Sequence, residues 1–180
     1  MPYWTAIYRP RTSDTNRGIC KKESSKRPTL SNRGNEMSQS AMQPTIAGWF
    51  TDGDQPRLIG TQCCDCGTYF FPKQELFCRN PTCTSTRFDE VELSRTGHIW
   101  SYTKHYYAPP EPYISGEEFE PYTIAAVELE KEKMVILGQV ANGFEPEDLH
   151  TGQEMEVIVE KLYEQDGTDY AVWKWKPKAS

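Results

Sequence analysis

The chain has 180 residues, of which 26 are acidic and 20 are basic, for a net charge of −6. That length suits one medium-sized domain or two small ones. No apolar stretch is long enough to span a membrane and no signal peptide is visible, so the sequence argues against a membrane protein, and we expect a cytoplasmic one.

The charge is distributed unevenly between the start of the chain and the rest. Residues 1–36 carry eight Lys/Arg and three Asp/Glu, a net of +5, whereas residues 37–180 carry twelve and twenty-three, a net of −11. The first stretch is polar and lacks an apolar period, so it cannot bury enough surface to offset its ordering entropy. We therefore predict that residues 1–44 form a disordered basic tail. Alternatives are upstream sequence from a misplaced start codon, with Met37 as the start, a transit peptide or a nucleic-acid-binding arm.

Next in chain order comes a short apolar segment followed by three strand segments. Residues 46–50 are predicted to form a brief helix or an apolar anchor, which ends at a turn signal, Asp52-Gly53-Asp54. Three segments rich in β-forming residues then alternate with two pairs of cysteines. These predicted strands are residues 57–63, 68–71 and 88–93. Strands alternating with cysteine pairs are the layout of a zinc ribbon, which we place together with the anchor in residues 45–92.

The cysteine pairs are the most specific motif of the chain. Cys63 and Cys66 form a C-x2-C pair, and Cys78 and Cys83 form a C-x4-C pair after a gap of eleven residues. Two such pairs can close a tetrahedron of thiolates around one zinc ion, and four cysteine ligands leave no open coordination position. Cys63 is preferred to Cys64 as a ligand, because Cys64 with Cys66 would give a C-x-C spacing that suits a metal knuckle poorly. The spacing therefore predicts a structural metal site without chemistry of its own.

Two other roles for these cysteines remain open. A redox iron site of the rubredoxin type usually has glycine after both pairs, whereas here Gly67 follows the first pair and Thr84 the second. A pair of disulfides would suit a small secreted domain, and nothing in this sequence indicates secretion. Structural zinc is therefore the preferred interpretation.

From residue 93 onward the chain consists mainly of alternating apolar and polar β segments. Five strands are predicted, at residues 97–107, 122–130, 134–140, 155–163 and 170–176. Asp166-Gly167 indicates a tight hairpin between the last two, and residues 146–149 indicate a short helical turn. Five antiparallel strands of this length suit an OB-fold. The predicted fold class is mainly β, an N-terminal rubredoxin-like zinc ribbon followed by a five-stranded OB-fold barrel at residues 93–180.

The sequence offers no catalytic constellation. His98 and His105 are seven residues apart on one predicted strand and so point to opposite faces. An OB-fold joined to a zinc ribbon is also compatible with a module that binds single-stranded nucleic acid, but the charge of −11 on residues 37–180 argues against a basic groove for phosphates. An iron redox carrier is a further possible function, if the four cysteines bind iron instead of zinc.

Four segments, in the same order, resemble a known family. They are Leu58 to Pro72 around the first cysteine pair, Gly97 to Thr103, Pro121 to Leu129, and Pro146 to Leu149 with Gly152. Together they resemble the acyl-CoA-associated proteins that join a rubredoxin-like zinc ribbon to an OB-fold, over roughly residues 45–176. The second cysteine pair differs from the usual C-x2-C of that family, and residues 1–36 have no counterpart in it.

The resemblance implies a function. Members of this family are small partner subunits of thiolase-superfamily enzymes, including thiolases and the side-chain aldolases of steroid degradation, and others join hydratases of the hot-dog fold. In these complexes the partner carries the catalytic residues, while the small subunit stabilises it and in some cases helps to form the CoA passage. The chain is therefore expected to be a non-catalytic, zinc-binding accessory subunit in a hetero-oligomer that processes acyl-CoA by thiolysis or retro-aldol cleavage.

Two further groups of residues are candidates for that role. The connection at residues 108–121 is long for so small a domain and rich in proline and aromatic residues, and such connections are often functional. Aromatic side chains dominate interface hot spots, so the predicted anchors for a partner are Tyr106, Tyr107, Tyr113 and Phe119. The cations around the ribbon that we expect to meet CoA phosphates are Lys73, Arg79 and Arg87.

Overall fold

The computed structural model describes residues 7–8, 42–109 and 119–179. Its regular structure is almost entirely β-strand, arranged in a seven-stranded and a three-stranded sheet. The strands are β1 Ile7–Tyr8, β2 Gln43–Pro44, β3 Ile59–Cys63, β4 Tyr69–Phe70, β5 Phe88–Glu92, β6 Thr96–His105, β7 Tyr122–Leu129, β8 Met134–Gln139, β9 Glu154–Gln165 and β10 Thr168–Pro177. A 3-10 turn, Pro146–Asp148, is the one helical element in these ranges, and none of the described helices could cross a membrane.

The three-stranded sheet is the ribbon, in the order β4-β3-β5. β3 pairs antiparallel with both neighbours, so that Thr61 faces Phe70 on one side and Glu90 on the other. Gly60 is needed at the crossing of the three strands, because a Cβ there would lie 2.6 Å from the carbonyl oxygen of Phe70. The ribbon predicted from the cysteine spacing is therefore present, with strands one or two residues shorter than predicted.

The larger sheet contains the barrel, in the order β8-β7-β6-β9-β10. Those pairs are all antiparallel, and a parallel bridge from Val140 to Trp175 joins the two ends of the sheet. Five strands curled on themselves and closed in this way form an OB-fold, which confirms the predicted fold class. The β9–β10 hairpin turns at Asp166 and Gly167, whose φ angles of 52° and 74° are those of a tight primed turn.

Ribbon and barrel share one hydrophobic core. The cluster of buried side chains runs from Leu58, Phe71 and Leu93 of the ribbon into the barrel, where Trp175 is completely buried. Phe71 meets Trp173 edge to face with ring centroids 6.0 Å apart. This arrangement places the metal-binding end of the ribbon outward, with the opposite end packed on the barrel.

The apolar segment at 46–50 is an anchor and not a helix. Gly48 has a φ of +74°, and Phe50 pairs with Leu58 through a single antiparallel bridge. A helix of five residues gains too few hydrogen bonds to offset its nucleation cost. The segment instead packs Trp49 against Phe71, with ring centroids 5.4 Å apart. Of the two options that the sequence left open, the anchor is the observed one.

Two short pieces of the predicted basic tail are strands. Ile7–Tyr8 pairs antiparallel with β8 at Val135 and Met134, and Gln43–Pro44 pairs in parallel with β10. These four residues thus pair with strands of the larger sheet. Residues 1–6 and 9–41 lie outside the described residues, so for them the predicted tail stays a prediction, as does the domain boundary at residue 44.

Candidate metal centre and binding surfaces

The two cysteine pairs bring four sulfur atoms together at the outer end of the ribbon. The Sγ atoms of Cys63, Cys66, Cys78 and Cys83 all lie within 4.8 Å of one another. Cys63 Sγ is 3.8 Å from Cys83 Sγ, and Cys66 Sγ is 3.5 Å from Cys78 Sγ. Sulfurs at the corners of a tetrahedron with metal–sulfur bonds of about 2.3 Å would be roughly 3.8 Å apart. The four cysteines are thus positioned to bind a metal ion, and the cluster uses Cys63 rather than Cys64.

Backbone hydrogen bonds shape the first knuckle. The Gly67 N–H donates to the Cys63 carbonyl at 2.9 Å, and the Cys63 N–H donates to the Thr68 carbonyl at 2.8 Å. Gly67 has a φ of +70°, which a residue with a Cβ rarely adopts. The tight turn that follows Cys66 therefore depends on this glycine.

The longer second knuckle is ordered by Asn80. Its side-chain oxygen accepts from the backbone N–H of Thr82 at 3.2 Å and from the Thr82 hydroxyl at 3.0 Å. The Cys83 N–H then donates to the Asn80 carbonyl at 2.9 Å. Asparagine commonly closes turns in this way, by bonding its own backbone two residues on. The two extra residues of the C-x4-C pair are thereby accommodated without displacing Cys83 from the sulfur cluster.

The pKa values of Cys66, Cys78 and Cys83 are shifted in different directions within this compact site. Burial disfavours the Cys66 thiolate, but the hydroxyl and backbone N–H of Thr68, with the neighbouring thiols, outweigh it and lower the Cys66 pKa to about 6. Burial and the adjacent sulfurs raise the pKa of Cys78. For Cys83, the Ser85 backbone N–H favours the thiolate, yet burial and the other sulfurs raise the pKa. A bound divalent cation would remove this conflict by stabilising all four thiolates.

Comparison with known proteins matches both parts of the chain. Residues 50–89 match the ChsH2 rubredoxin-like zinc ribbon domain, and residues 90–160 match the ChsH2 C-terminal OB-fold domain. A DUF35 domain-containing scaffold protein of Methanocaldococcus jannaschii is 37% identical over 136 residues, which cover 73% of this chain and 89% of that protein. The chain belongs to the DUF35 family. The resemblance inferred from the four sequence segments is thereby confirmed.

Two further proteins match this DUF35 chain over about two thirds of its length. A probable enoyl-CoA hydratase alpha subunit of Thermomonospora curvata is 33% identical over 117 residues, or 64% of this chain and 33% of that protein. The solved structure of an Ltp2-ChsH2(DUF35) aldolase contains a chain that is 26% identical in sequence to this protein. The match covers 67% of this protein and 84% of that chain, with a TM-score of 0.48.

The three cations chosen for CoA phosphates lie in different electrostatic surroundings. Lys73 Nζ is 2.5 Å from the Glu90 carboxylate, and Arg87 is paired with Asp65. Arg79 is exposed on the second knuckle and forms no ion pair with any described carboxylate. Of the three, Arg79 is therefore the one that can offer its charge to an anion without breaking an existing pair.

The aromatic candidates gather where β6 ends and β7 begins. His105 lies between Tyr107 and Tyr122, with ring centroids 5.0 and 5.2 Å away, and Phe119 packs on Tyr122 at 5.9 Å. Tyr106 and Tyr107 are 65% and 73% exposed, which is unusual for such large side chains. Tyr113 lies outside the described residues, so its predicted role stays a prediction. The sequence did not single out a second exposed pair, Leu76 and Phe77, at 76% and 57% exposure on the ribbon.

No catalytic frame is found in the described ranges. His98 is exposed near Glu130, His150 is exposed, and His105 belongs to the aromatic group. In 42–109 and 119–179, no histidine side chain is hydrogen-bonded to a serine, threonine or cysteine side chain. The described part of this DUF35 chain thus offers four cysteines positioned to bind a metal and a group of exposed aromatic residues, and within it no histidine contacts a nucleophile.

Two buried charged residues escaped the sequence analysis. Glu132 lies in the Lys131-Glu132-Lys133 turn between β7 and β8, yet it is 5% exposed and accepts hydrogen bonds from the Ser94 N–H at 3.0 Å and the Ser94 hydroxyl at 3.1 Å. Lys174 is 4% exposed, 3.1 Å from Glu160 and 2.8 Å from the Asn142 side chain. No local signal in a Lys-Glu-Lys turn distinguishes Glu132, because the partner lies 38 residues away.

Proposed function

We propose that this chain is a non-catalytic, zinc-binding accessory subunit of a thiolase-like complex that processes acyl-CoA by thiolysis or retro-aldol cleavage. In that role it stabilises the catalytic partner and helps to form the passage for CoA or acyl-CoA. The observation that carries the proposal is the 37% identity to a scaffold protein over 89% of that protein's length. A scaffold acts by holding other chains, which fits a protein whose described residues contain no catalytic frame.

The link to CoA chemistry is supported by a second relative. The Thermomonospora curvata protein is named as a probable enoyl-CoA hydratase subunit, and a third of its length corresponds to this chain. A module that appears as part of a hydratase subunit in one protein and as a separate chain in another is well suited to docking on a CoA enzyme. The proposed assembly is accordingly a hetero-oligomer with a larger catalytic subunit.

Zinc is the proposed ion of the ribbon, held by Cys63, Cys66, Cys78 and Cys83. Four thiolates in a closed tetrahedral site suit zinc, which has no redox chemistry and tolerates this geometry without strain. Its role there is to hold the two knuckles together. Metal analysis of freshly purified, reduced protein tests this assignment, with about one equivalent of zinc expected and iron as the opposing result.

Assembly is tested by co-expressing the chain with thiolase-superfamily proteins of the same genome and measuring the mass of the intact complex. We expect a stable complex in which the partner is more resistant to heat than it is alone. Thioester cleavage should require the partner. Turnover of a thioester by the isolated, zinc-loaded chain, or absence of any complex with these candidates, would contradict the proposal.

The docking surface is proposed to be the exposed aromatic pair at the end of β6. Replacing Tyr106 and Tyr107 by Ser removes two large anchors, and anchors of this type often cost over 2 kcal/mol of binding each. We expect at least about a tenfold loss of partner affinity. The Leu76→Ser, Phe77→Ser variant, which removes the exposed pair of the ribbon, is the matched control and should bind normally. If only the ribbon variant loses affinity, the docking surface is on the ribbon instead.

The contact with CoA is proposed to involve Arg79 first. Because its guanidinium is exposed, the Arg79→Ala substitution should weaken CoA binding by the complex by no more than about fivefold, and less at high salt. Lys73→Ala and Arg87→Ala should have smaller effects, since each cation is already paired with a carboxylate. Unchanged CoA affinity in the Arg79 variant at low salt would remove this residue from the passage.

A further inference from the structure

Cys64 differs chemically from the four cysteines of the sulfur cluster. It is disulfide-bonded, whereas the four cluster cysteines are not. Its side chain is half-buried, and its backbone N–H donates to the Arg87 carbonyl at 3.0 Å, which holds it at the end of the ribbon that carries the metal site. The sequence contains six cysteines, so the remaining one that could pair with Cys64 within the chain is Cys20.

The strand β1 ends with its backbone directed towards the ribbon. Because β1 is antiparallel to β8, with Tyr8 opposite Met134, its direction at Tyr8 is that of the turn between β7 and β8. In that turn Glu132 accepts a hydrogen bond from the Ser94 N–H, at the point where the ribbon leads into the barrel. The last described residue before the basic segment thus lies near the junction of ribbon and barrel.

Cys64 is within reach of Cys20 from this junction. From Ser94, β5 leads back along the ribbon to Arg87, whose carbonyl accepts the Cys64 N–H. The seven residues from Ser94 to Arg87 span at most about 25 Å, whereas the twelve from Tyr8 to Cys20 can span about 40 Å when extended. A disulfide joins two Cα atoms that are about 5–6 Å apart. The length of chain beyond Tyr8 therefore permits a bond between Cys20 and Cys64.

The charges of the two regions favour the same pairing. Residues 9–41 carry eight Lys/Arg and three Asp/Glu, a net of +5, whereas residues 45–92 carry four and seven, a net of −3. Lys21 and Lys22 directly follow Cys20, and the exposed Asp65 directly follows Cys64. Opposite charges raise the local concentration of one segment beside the other, most strongly at low salt. Electrostatic attraction therefore brings the two thiols together before a bond forms.

We propose that Cys20 and Cys64 form a reversible, redox-sensitive disulfide that ties the basic segment to the first knuckle of the ribbon. One thiolate attacks a small disulfide such as oxidised glutathione, and the second thiolate then displaces the bound half. Two protein thiols thereby become one disulfide, and the small disulfide leaves as two thiols that carry the two protons. In this state Cys64 cannot replace Cys63 as a metal ligand. The inference does not depend on the proposed function, because it concerns the isolated chain.

The bond is tested by peptide mapping across a series of redox buffers. The 180-residue, zinc-loaded chain is equilibrated with glutathione at increasing ratios of oxidised to reduced form, quenched in acid, alkylated and digested with trypsin. In oxidising buffer the monomer should lose the mass of two hydrogen atoms, and a link should join the peptide of Cys20 to that of Cys64. Fragmentation should place the link at Cys64 rather than at Cys63 or Cys66. In reducing buffer the link should disappear while zinc stays bound.

Two variants make the assignment specific without changing a residue of the ribbon. Cys20→Ser should abolish the link, and Ile19→Ser, which alters the neighbouring residue and keeps the thiol, should retain it. Because a disulfide restricts the unfolded chain, reduction should lower the midpoint of thermal unfolding of the unsubstituted chain by several degrees and leave that of Cys20→Ser unchanged. The inference is overturned if no link forms in the most oxidising buffer, if the link joins two molecules, or if Cys64 pairs with a cluster cysteine and zinc is released.

Discussion

The ribbon and the barrel are stabilised in different ways. The ribbon's strands have five, two and five residues, and its outer end is organised around four sulfurs. The barrel's strands have ten, eight, six, twelve and ten residues and enclose fully buried side chains such as Trp175, Val127 and Met155. A small unit with little apolar core requires a metal or another cross-link, whereas a closed barrel does not. The ribbon should therefore depend on metal and the barrel on packing.

The sharpest test of this difference is loss of the metal. Cys78→Ser should abolish metal binding and unfold the outer ribbon, because structural zinc supplies about 10–16 kcal/mol in comparable peptides. Amide signals of residues 60–90 should collapse while those of β6–β10 persist. Ser101→Ala, which alters an exposed residue of β6 away from the cluster, is the control and should keep its metal. A barrel that unfolds together with the ribbon would show that the two are one cooperative unit.

Two glycines allow each region to be perturbed by the same substitution. Gly138→Ala places a methyl group 2.4 Å from the Trp173 ring and should destabilise the barrel by about 1–3 kcal/mol in urea unfolding. Gly60→Ala places one 2.6 Å from the Phe70 carbonyl and should lower the zinc affinity of the ribbon. If Gly138→Ala weakens zinc binding as strongly as Gly60→Ala does, the stabilities of the two regions are not separable.

Glu132 tests the junction between the regions. Its buried carboxylate holds the backbone N–H of Ser94, the residue that leads from the ribbon into the barrel. Glu132→Ala leaves that N–H without its acceptor and should cost about 1.5–3 kcal/mol. Glu132→Gln keeps an acceptor oxygen and should cost less. Equal losses in the two variants would indicate that the charge itself, and not the hydrogen bond to Ser94, stabilises the junction.

Metal binding by the ribbon should also depend on pH, whereas packing of the barrel should not. Without metal the pKa of Cys66 is about 6, whereas those of Cys78 and Cys83 are raised above the ordinary thiol value. Between pH 6.5 and 8, zinc must therefore displace at least two protons, so its affinity rises with pH by at least about two log units per pH unit. Competition titrations with a chelator at several pH values measure this slope. A slope near zero would exclude thiols as the groups that bind the metal.

Local patterns allowed most of the fold to be predicted. The cysteine spacing indicated the ribbon, and the alternation of apolar and polar residues indicated all five barrel strands. Each of these patterns is local, because the residues that form it are only a few positions apart in the sequence. The barrel's closure by Val140 and Trp175 could not be located, since the pairing spans 35 residues and involves a single bridge. Buried polar residues were missed for the same reason. Gln139 and Glu132 occupy positions that only the tertiary structure makes interior.

The anchor shows a related limit. Ile46 to Phe50 is apolar enough for a helix or a docked loop, and local propensity does not separate them over so short a stretch. The docked loop is favoured because Trp49 packs against Phe71, a residue more than twenty positions later in the chain. The cation candidates also became distinguishable only in three dimensions, because the carboxylates that pair with Lys73 and Arg87 are 17 and 22 residues away.

The pairing of Ile7–Tyr8 with β8 has a consequence for self-association. Residues 7 and 8 cover backbone groups of Met134 and Val135 on β8, which would otherwise be the last strand on this side of the sheet. A variant without them would offer the free amides and carbonyls of β8 to any extended peptide nearby. These two residues therefore protect the sheet against edge-to-edge pairing between molecules.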